Sequence, residues 1–420
     1  MPIPLSRLSD SAAQVLRVLA AGEQVSRPEL SERLGVTAPT IAAALVELTS
    51  ASLITRTGSR QGRLGRAAAL YTLDARAGWV LGIDLGSTQV LMAVRTLGGD
   101  VLDDFRYSLL EPGTPGDSSQ RSLLSVAADR IGEIISVYSA SHGPLRSVGV
   151  ALARVIPNSP TRESVIGFGE NATRVEDISS QLGLPTDVPL LLENNVNCAA
   201  LAEMTHGAAT LARDFVYLQI GVRIGAGLIV DGKLRRGASG ASGELSELPF
   251  PLVPASDTHG GALALESYLG SDGLLERTRL AWTGADGAAP ATSRDLIALA
   301  VTGNDQARRI VEAHAADIAQ VALVIAALVD PELIVLGGGV GQNPILADLV
   351  ERALHARRPN LGVALSELGE RATVEGAAAL AMDFARAALI GDRYRSRLGG
   401  QDHAVAMSTT ALEGQSAPSV

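Results

Sequence analysis

The stretch that decides the fold is VLGIDLGSTQVLMAV, residues 80–94, which reads as a strand, a glycine turn and a returning strand. A comparable unit recurs at residues 215–230, where Gly221, Gly225 and Gly227 lie in the turn. An internal repeat of this kind predicts two lobes, each of which opens with a β-hairpin whose turn faces a shared cleft.

A third glycine turn, LIVLGGGV at residues 333–340, follows an apolar helical segment at residues 318–329. Two lobes with paired hairpin turns are the plan of the actin-like (RNase H-like) ATPase folds, in which both turns touch nucleotide phosphates. The third turn resembles the adenosine loop of that superfamily. From about residue 77 onward the sequence therefore predicts an α/β fold.

The totals describe a chain of two or three domains, because 420 residues exceed the size of a single core. Hydrophobic residues make up 46% of the chain, and no uninterrupted apolar stretch reaches eighteen residues, so no membrane span is predicted. The first residues lack basic and apolar signal regions, which predicts a cytoplasmic protein. The lone cysteine, Cys198, excludes an internal disulfide and a cysteine-based structural zinc site.

Residues 1–76 carry the spacing of a helix-turn-helix. An amphipathic first helix is followed by Ser26 and Glu29, which resemble a capping box opening a second helix that ends at Gly35. We expect Thr37 to cap a third helix, the one that would enter the major groove of DNA. The residues on or near its outward face are Thr37, Ala38, Pro39, Thr40 and either Ala43 or Ala44.

Two short strand candidates, residues 53–56 and 68–73, flank a Gly/Arg-rich segment and together make a wing. Although the net charge of the chain is −10, its first 76 residues carry nine Arg against six acidic residues. Four of these arginines fall in eleven residues without an acid, and they are Arg56, Arg60, Arg63 and Arg66. Such a loop predicts double-stranded DNA as a partner, because the guanidinium groups would otherwise repel one another. A three-helix protein-binding module, and for Arg56 a plain solvated charge, stay open as alternatives.

The glycine turns, together with LLENNVNCAALAE at residues 191–203, resemble the ROK family of repressors, open reading frames and sugar kinases. Asp84, Gly86 and Thr88 stand as in the family's Asp-x-Gly-x-Thr. The resemblance extends to about residue 390 and implies a winged helix-turn-helix fused to a two-lobed ROK module. The implied parts are the winged helix at 1–76, lobe I at 77–205 completed by about 373–390, lobe II at 206–372, and a disordered tail at 391–420.

Two positions depart from what the resemblance implies for a sugar kinase. Asn195 stands where the kinases have the Asp that removes a proton from a sugar hydroxyl, and a carboxamide has no basic lone pair at neutral pH. Alternatively, Asn195 caps the following helix, and this role is compatible with the replacement of the catalytic Asp. At the second turn the family's Gly-Thr-Gly-x-Gly becomes GVRIG at residues 221–225, where Arg223 either forms a salt bridge or binds phosphate. We therefore expect no catalytic residues.

The family's zinc site is missing too, because its His and Cys positions carry neither residue, and we expect no metal and no cofactor. The resemblance retains a partial sugar site of amides and carboxylates, groups that suit vicinal diols. The effector-binding positions that it implies are Asn171, Asn194, Asn195, Glu244 and Glu247. For Glu244, a loop carboxylate that caps backbone amides is the alternative.

The sequence favours a transcriptional regulator, most often a repressor in this family, acting on carbohydrate-related genes. It would bind operator DNA as a homodimer or a dimer of dimers, and its inactive ROK module would sense a sugar or sugar derivative. Two other functions stay open. One is a ligand-independent DNA binder whose ROK module only dimerises, and the other is an active sugar kinase with a fused regulatory domain.

Overall fold

A computed structural model of the chain describes residues 8–20, 22–61, 67–86, 89–108, 123–158, 164–166, 173–246, 248–250, 263–284, 287–390 and 404–406. These residues divide into two compact units. Unit 1 comprises residues 1–193 and 377–420, and unit 2 comprises residues 194–376. The domain boundaries expected from the sequence stay predictions.

Unit 1 begins with three helices and a three-stranded sheet in the strand order β1-β3-β2. The elements are α1 (Asp10–Leu19), β1 (Val25–Ser26), α2 (Arg27–Leu34), α3 (Ala38–Ser50), β2 (Ile54–Gln61) and β3 (Ala67–Leu73). Both wing strands were expected from the sequence, but β2 runs five residues beyond its expected end at Arg56. The strand β1, two residues long, was not expected.

The start and end of α2 follow from local chemistry. Ser26 Oγ accepts a hydrogen bond from the Glu29 backbone N–H, and the Ser26 backbone N–H donates to Glu29 Oε2 at 2.8 Å, which is the predicted capping box. Gly35 ends the helix at a φ of 65°, the left-handed conformation that glycine adopts at little cost. The prediction for α3 was wrong in one respect. Thr37 holds the N-cap position but makes no capping bond, because its hydroxyl pairs with that of Thr40 at 2.9 Å.

The rest of unit 1 is built on a six-stranded sheet in the strand order β18-β10-β7-β4-β5-β6. Its strands are β4 (Trp79–Leu85), β5 (Gln89–Thr96), β6 (Val101–Ser108), β7 (Leu145–Leu152), β10 (Leu190–Asn194) and β18 (Ala404–Ala406). Around it lie α4 (Leu123–His142), β8 (Val165–Ile166), β9 (Thr173–Arg174) and α5 (Val175–Gln181). The backbone of β18 pairs antiparallel with β10, so the disorder predicted for residues 391–420 does not extend to residues 404–406.

Unit 2 contains a five-stranded sheet in the strand order β13-β12-β11-β16-β17. Its strands are β11 (Phe215–Ile220), β12 (Ile224–Val230), β13 (Lys233–Leu234), β16 (Leu333–Gly337) and β17 (Gly362–Leu365), and β14 (Pro249–Phe250) pairs with β15 (Leu263–Ala264) apart from it. The helices are α6 (Asn195–His206), α7 (Leu265–Leu269), α8 (Ser271–Ala281), α9 (Ser293–Val301), α10 (Asp305–Val329), α11 (Gly338–Gly341) and α12 (Pro344–His355). The last helix, α13 (Ala372–Ile390), begins in unit 2 and continues into unit 1.

The repeat that the sequence predicted is present in both sheets. Strands β4 and β5 form an antiparallel hairpin, and so do β11 and β12. Each hairpin is joined by a parallel partner, β7 beside β4 and β16 beside β11.

Among the described residues, one helix, α10, is long and apolar enough to cross a membrane by length and composition alone. Half of its apolar window is buried inside the protein, where Val311, Ile318 and Ile325 belong to the core of unit 2. Burial in that core accounts for the buried half of this apolar window.

Candidate functional site

The outward face of α3 is the first candidate surface. Ala38 and Pro39 are exposed and Thr40 is half-buried, as the sequence predicted for a helix whose first turn enters the major groove. The structure also decides between the two alanines that the sequence left open, because Ala43 is exposed and Ala44 is buried in the core.

The two wing arginines that the structure describes, Arg56 and Arg60, do not lie on one surface. A register shift between Arg56 and Gly58 places Arg56 opposite Tyr71 and Arg60 opposite Ala68. Tyr71 and Ala68 are an odd number of residues apart on β3, so their side chains lie on opposite faces of the hairpin, and paired residues share a face. Arg56 and Arg60 therefore point to opposite sides, and Arg63 and Arg66 lie outside the described residues.

Arg60 is held by the helix-turn-helix itself, because its Nη1 lies 3.0 Å from Glu29 Oε1. The Glu29 carboxylate thus serves the capping box of α2 and the wing at once. Hydrogen bonds from Ser26, and to a smaller degree the charge of Arg60, lower the pKa of Glu29. Both side chains are partly exposed, so the pair adds little stability.

Sequence reasoning missed Arg27, which is exposed at the start of α2. It lines one surface concavity together with Pro28, Ser31, Glu32 and Ala38. A basic side chain thus lies beside the first residue of α3. In the sequence, Arg27 could have been found by its position directly after the capping residue Ser26.

Two neighbouring asparagines have different roles where β10 ends and α6 begins. Asn194 is the N-cap of α6, and its Oδ1 accepts from the N–H groups of Val196 at 2.8 Å and Asn197 at 3.3 Å. Asn195 is the first helical residue, half-buried, and its carbonyl oxygen accepts from Thr373 Oγ1 at 3.5 Å. The interpretation of Asn195 as the cap was therefore wrong. Asn194 has that role, because its own Oδ1 reaches the N–H groups two and three residues further on.

The chain neighbours of Asn195 and Glu244, which are Val196 and Gly243, both approach strand β12. A Cβ added at Gly225 would lie 3.1 Å from the Val196 side chain and 3.9 Å from the Gly243 carbonyl oxygen. Gly243 itself adopts a φ of 81°, and any side chain there would collide with the Ala226 carbonyl oxygen. The carboxylate of Glu244 is exposed and accepts from Ser246 Oγ at 2.6 Å. Residues next to Asn195 and Glu244 thus pack against one glycine-bearing strand, while Asn171 and Glu247 lie outside the described residues.

The turn between β11 and β12 contains the predicted arginine. Arg223 Nη1 lies 3.5 Å from Glu266 Oε1, and Glu266 Oε2 accepts from the Ile224 N–H at 3.2 Å. Of the two alternatives for Arg223, a salt bridge or phosphate binding, the structure contains the salt bridge. The Arg223 side chain is 60% exposed, so it is not packed into an internal space.

Asp84 lies near the end of β4, opposite Leu91 on β5 and Ala151 on β7. Burial raises the pKa of its carboxyl group to about 7. Among the described residues, no group of three or more His, Cys, Asp or Glu side chains could hold a metal ion.

Comparison with known proteins agrees with this architecture. A model of the ROK family matches residues 80–384, and a model of the MarR family matches residues 8–63, the winged helix. The xylose repressor of Bacillus subtilis (strain 168) is 27% identical over 264 residues, which cover 62% of this chain and 66% of that repressor. The glucokinase of Halalkalibacterium halodurans is 25% identical, and the match covers 63% of this chain and 81% of that enzyme.

Among solved structures, a ROK family transcriptional regulator described as a homologue of the E. coli MLC protein aligns with a TM-score of 0.67. It is 22% identical and covers 91% of this chain and 96% of its own, which supports the shared fold. The α/β fold with an N-terminal winged helix is therefore confirmed. The ROK family model matches well over half of the residues of this chain, and the chain therefore belongs to the ROK family.

Proposed function

We propose that this protein is a cytoplasmic, sugar-responsive transcriptional repressor that binds operator DNA as a homodimer or a dimer of dimers. The observation that carries the proposal is a winged helix with an exposed α3, continuous in one chain with a ROK module. The similarity to a xylose repressor supports a sugar as the effector, although the match spans only 66% of that protein.

The proposal includes a ROK module that does not transfer phosphate, although a glucokinase is among the relatives. An amide stands at Asn195, where a kinase of this family needs a base, and loss of general-base help costs roughly 10²- to 10⁴-fold in rate. In addition, the turn that would cradle phosphate carries the Arg223–Glu266 ion pair. The module would instead bind an effector through Asn171, Asn194, Asn195, Glu244 and Glu247.

The test of DNA binding is selection from a random duplex pool with the full-length protein, followed by titration of selected and scrambled duplexes at one salt concentration. We expect the selected duplex to bind about 10³-fold or more tightly, the usual margin of specific over non-specific recognition. Equal affinities would exclude a sequence-specific regulator. Adding a carbohydrate panel to the same titration identifies the effector, because only a ligand with unequal affinity for two states shifts the balance.

The test of catalysis is ADP release from ATP in the presence of each hexose. We expect no release above that of the sugar-free sample. Turnover by the wild type that Asp84→Ala abolishes would establish a kinase instead. A thermal-shift panel separates a sensor from a ligand-independent binder, since a ligand at roughly 100 times its Kd adds about 2.7 kcal/mol of stability.

A further inference from the structure

The outward face of α3 carries no side chain that can make two hydrogen bonds to one base. The helix reads APTIAAALVELTS and contains no Arg, Lys, Asn or Gln. Four of its residues are buried in the core, and they are Ile41, Ala44, Leu45 and Leu48. What remains outward along the middle of the helix is Ala43 and Val46, and Val46 is 65% exposed.

The only charged residue of α3, Glu47, is turned toward α1. Its carboxylate accepts from the Ser9 backbone N–H at 2.9 Å and from Ser9 Oγ at 2.6 Å. Ser9 in turn caps α1 by accepting from the Ala12 N–H. Glu47 therefore holds α1 against α3 and is engaged away from the face formed by Ala43 and Val46.

The hydroxyl groups of Thr40 and Thr49 on α3 also have partners within the helix-turn-helix. Thr40 Oγ1 lies 2.9 Å from Thr37 Oγ1, and Thr49 Oγ1 donates to the Leu45 carbonyl oxygen at 2.7 Å. Arg27 lies beside Ala38. Along the axis of α3, Ala38 is about 12 Å from Val46, because an α-helix rises about 1.5 Å per residue. A charged contact from Arg27 would thus fall at the start of α3 and not beneath its middle.

An apolar face of this kind discriminates between base pairs by the apolar contact that it makes. Every base presents polar groups in the major groove, and these would lose water against Ala43 or Val46 without gaining a partner, so they do not favour one base pair over another. Thymine presents its 5-methyl group, which gains from contact with an apolar side chain.

We infer that α3 reads thymine methyl groups, so that the operator carries A·T pairs beneath Ala43 and Val46 with each methyl facing the helix. This inference rests on the proposed function, because it concerns the operator of a DNA-binding protein. It assigns sequence reading to two apolar residues and leaves the arginines of the wing and of α2 to the backbone.

The test replaces each thymine of the selected operator in turn by uracil, which removes only the 5-methyl group and keeps the base pair. Binding of the full-length protein is measured by fluorescence anisotropy at constant salt. We expect one or two thymines in each half-site to weaken binding about fourfold, the factor that corresponds to roughly 0.8 kcal/mol for a buried methyl group.

Val46→Ala should abolish the uracil penalty at one of these thymines and leave the penalty at the other. The change removes two methyl groups from an exposed helical position, where alanine favours the helix, so the variant folds. Val101→Ala, at a position on β6 that is 61% exposed, is the matched control and should leave both penalties in place.

Two outcomes separate the inference from the proposed function. If selection yields an operator but every uracil substitution is neutral, or Val46→Ala retains both penalties, α3 does not read methyl groups and the repressor function stands. If selection enriches no sequence, the proposed function fails and this inference fails with it.

Discussion

At the residue scale, two neighbouring asparagines differ in their structural role where β10 ends and α6 begins. Asn194 accepts hydrogen bonds through its side-chain oxygen from backbone N–H groups at the start of α6, whereas Asn195, one residue later, is half-buried and does not cap the helix. The sequence predicted the departure from a catalytic Asp, because that depends only on residue identity. It did not predict which asparagine caps the helix, because that depends on where the helix begins.

Glu203 is a buried carboxylate that sequence reasoning did not single out. It lies on α6, is fully buried, and accepts from Ser366 Oγ at 2.5 Å. Its two oxygens also accept from the backbone N–H groups of Ala208 at 2.8 Å, Leu368 at 3.1 Å and Glu367 at 3.3 Å. The carboxylate therefore ties α6 to the loop that follows β17, and four donors surround it.

We expect Glu203→Gln to lower the free energy of unfolding by about 2–4 kcal/mol. The amide group of glutamine would face donors, and each buried donor left unpaired costs about 1–3 kcal/mol. Urea unfolding followed by circular dichroism measures the change. The matched control is Glu367→Gln, since Glu367 is exposed and contributes only its backbone here. An equal loss in both variants would show that the change of residue, and not the buried contacts, is responsible.

At the element scale, the wing shows how one extra residue redirects a surface. Arg56 and Arg60 are an even number of residues apart, so in a regular strand without the register shift they would share a face. The bulge turns Arg60 toward Glu29 of α2. The sequence gives the arginines of the wing directly. The bulge depends on how β2 pairs with β3, so it could not be predicted from the sequence.

The helices of unit 2 enclose a polar cluster around His314 of α10. His314 Nδ1 lies 3.1 Å from Arg277 Nη2, and because a guanidinium only donates, the ring must accept there and stay neutral. Arg277 also lies 3.9 Å above the ring of Tyr268 and 3.6 Å from Asp317 Oδ2. Burial, and then the charge of Arg277, lower the pKa of His314 to about 3.

We expect the stability of the protein to fall as the pH drops below 6.5, by about 1.4 kcal/mol per pH unit from His314 alone. The unfolded chain binds a proton on this histidine near pH 6.5 and the folded chain does not, so its contribution is complete above that pH and is lost below it. Urea unfolding between pH 7 and pH 5 measures the slope.

His314→Gln should remove this part of the slope, because glutamine keeps an acceptor for Arg277 but does not titrate. His206→Gln, at an exposed position on α6, removes a histidine without touching the cluster and serves as control. If the wild type and His314→Gln lose stability equally over this range, His314 is not the group responsible.

At the scale of the whole molecule, the core of the winged helix continues beyond residue 76. One hydrophobic cluster joins Leu16, Leu30 and Leu48 of the winged helix to Ala385 and Leu389 of α13. All of these residues belong to unit 1. The packing of the winged helix thus includes a helix that lies far from it in the sequence.

We expect Leu389→Ala to destabilise unit 1 by about 2–4 kcal/mol, the usual cost of a buried leucine truncated to alanine. Trp79, buried in unit 1, reports this transition by fluorescence in a Trp282→Phe background, since Trp282 is the only other tryptophan. Hydrogen exchange should also quicken in the amides of α1 to α3. Leu328→Ala, at a position on α10 that is 82% exposed, is the control. Unchanged exchange in α1 to α3 would mean that the winged helix folds independently of α13.

The sequence by itself determined the features that depend on near neighbours: the capping box of α2, the end of that helix at Gly35, the repeated hairpins and the amide at Asn195. Each rests on a few consecutive residues whose chemistry leaves little choice of backbone conformation. Only the tertiary structure decided the opposite directions of Arg56 and Arg60, the exposure of Ala43, the donors around Glu203 and the place of α13 in the core of the winged helix. These depend on the pairing register of strands and on contacts between residues distant in the chain, which local sequence patterns do not specify.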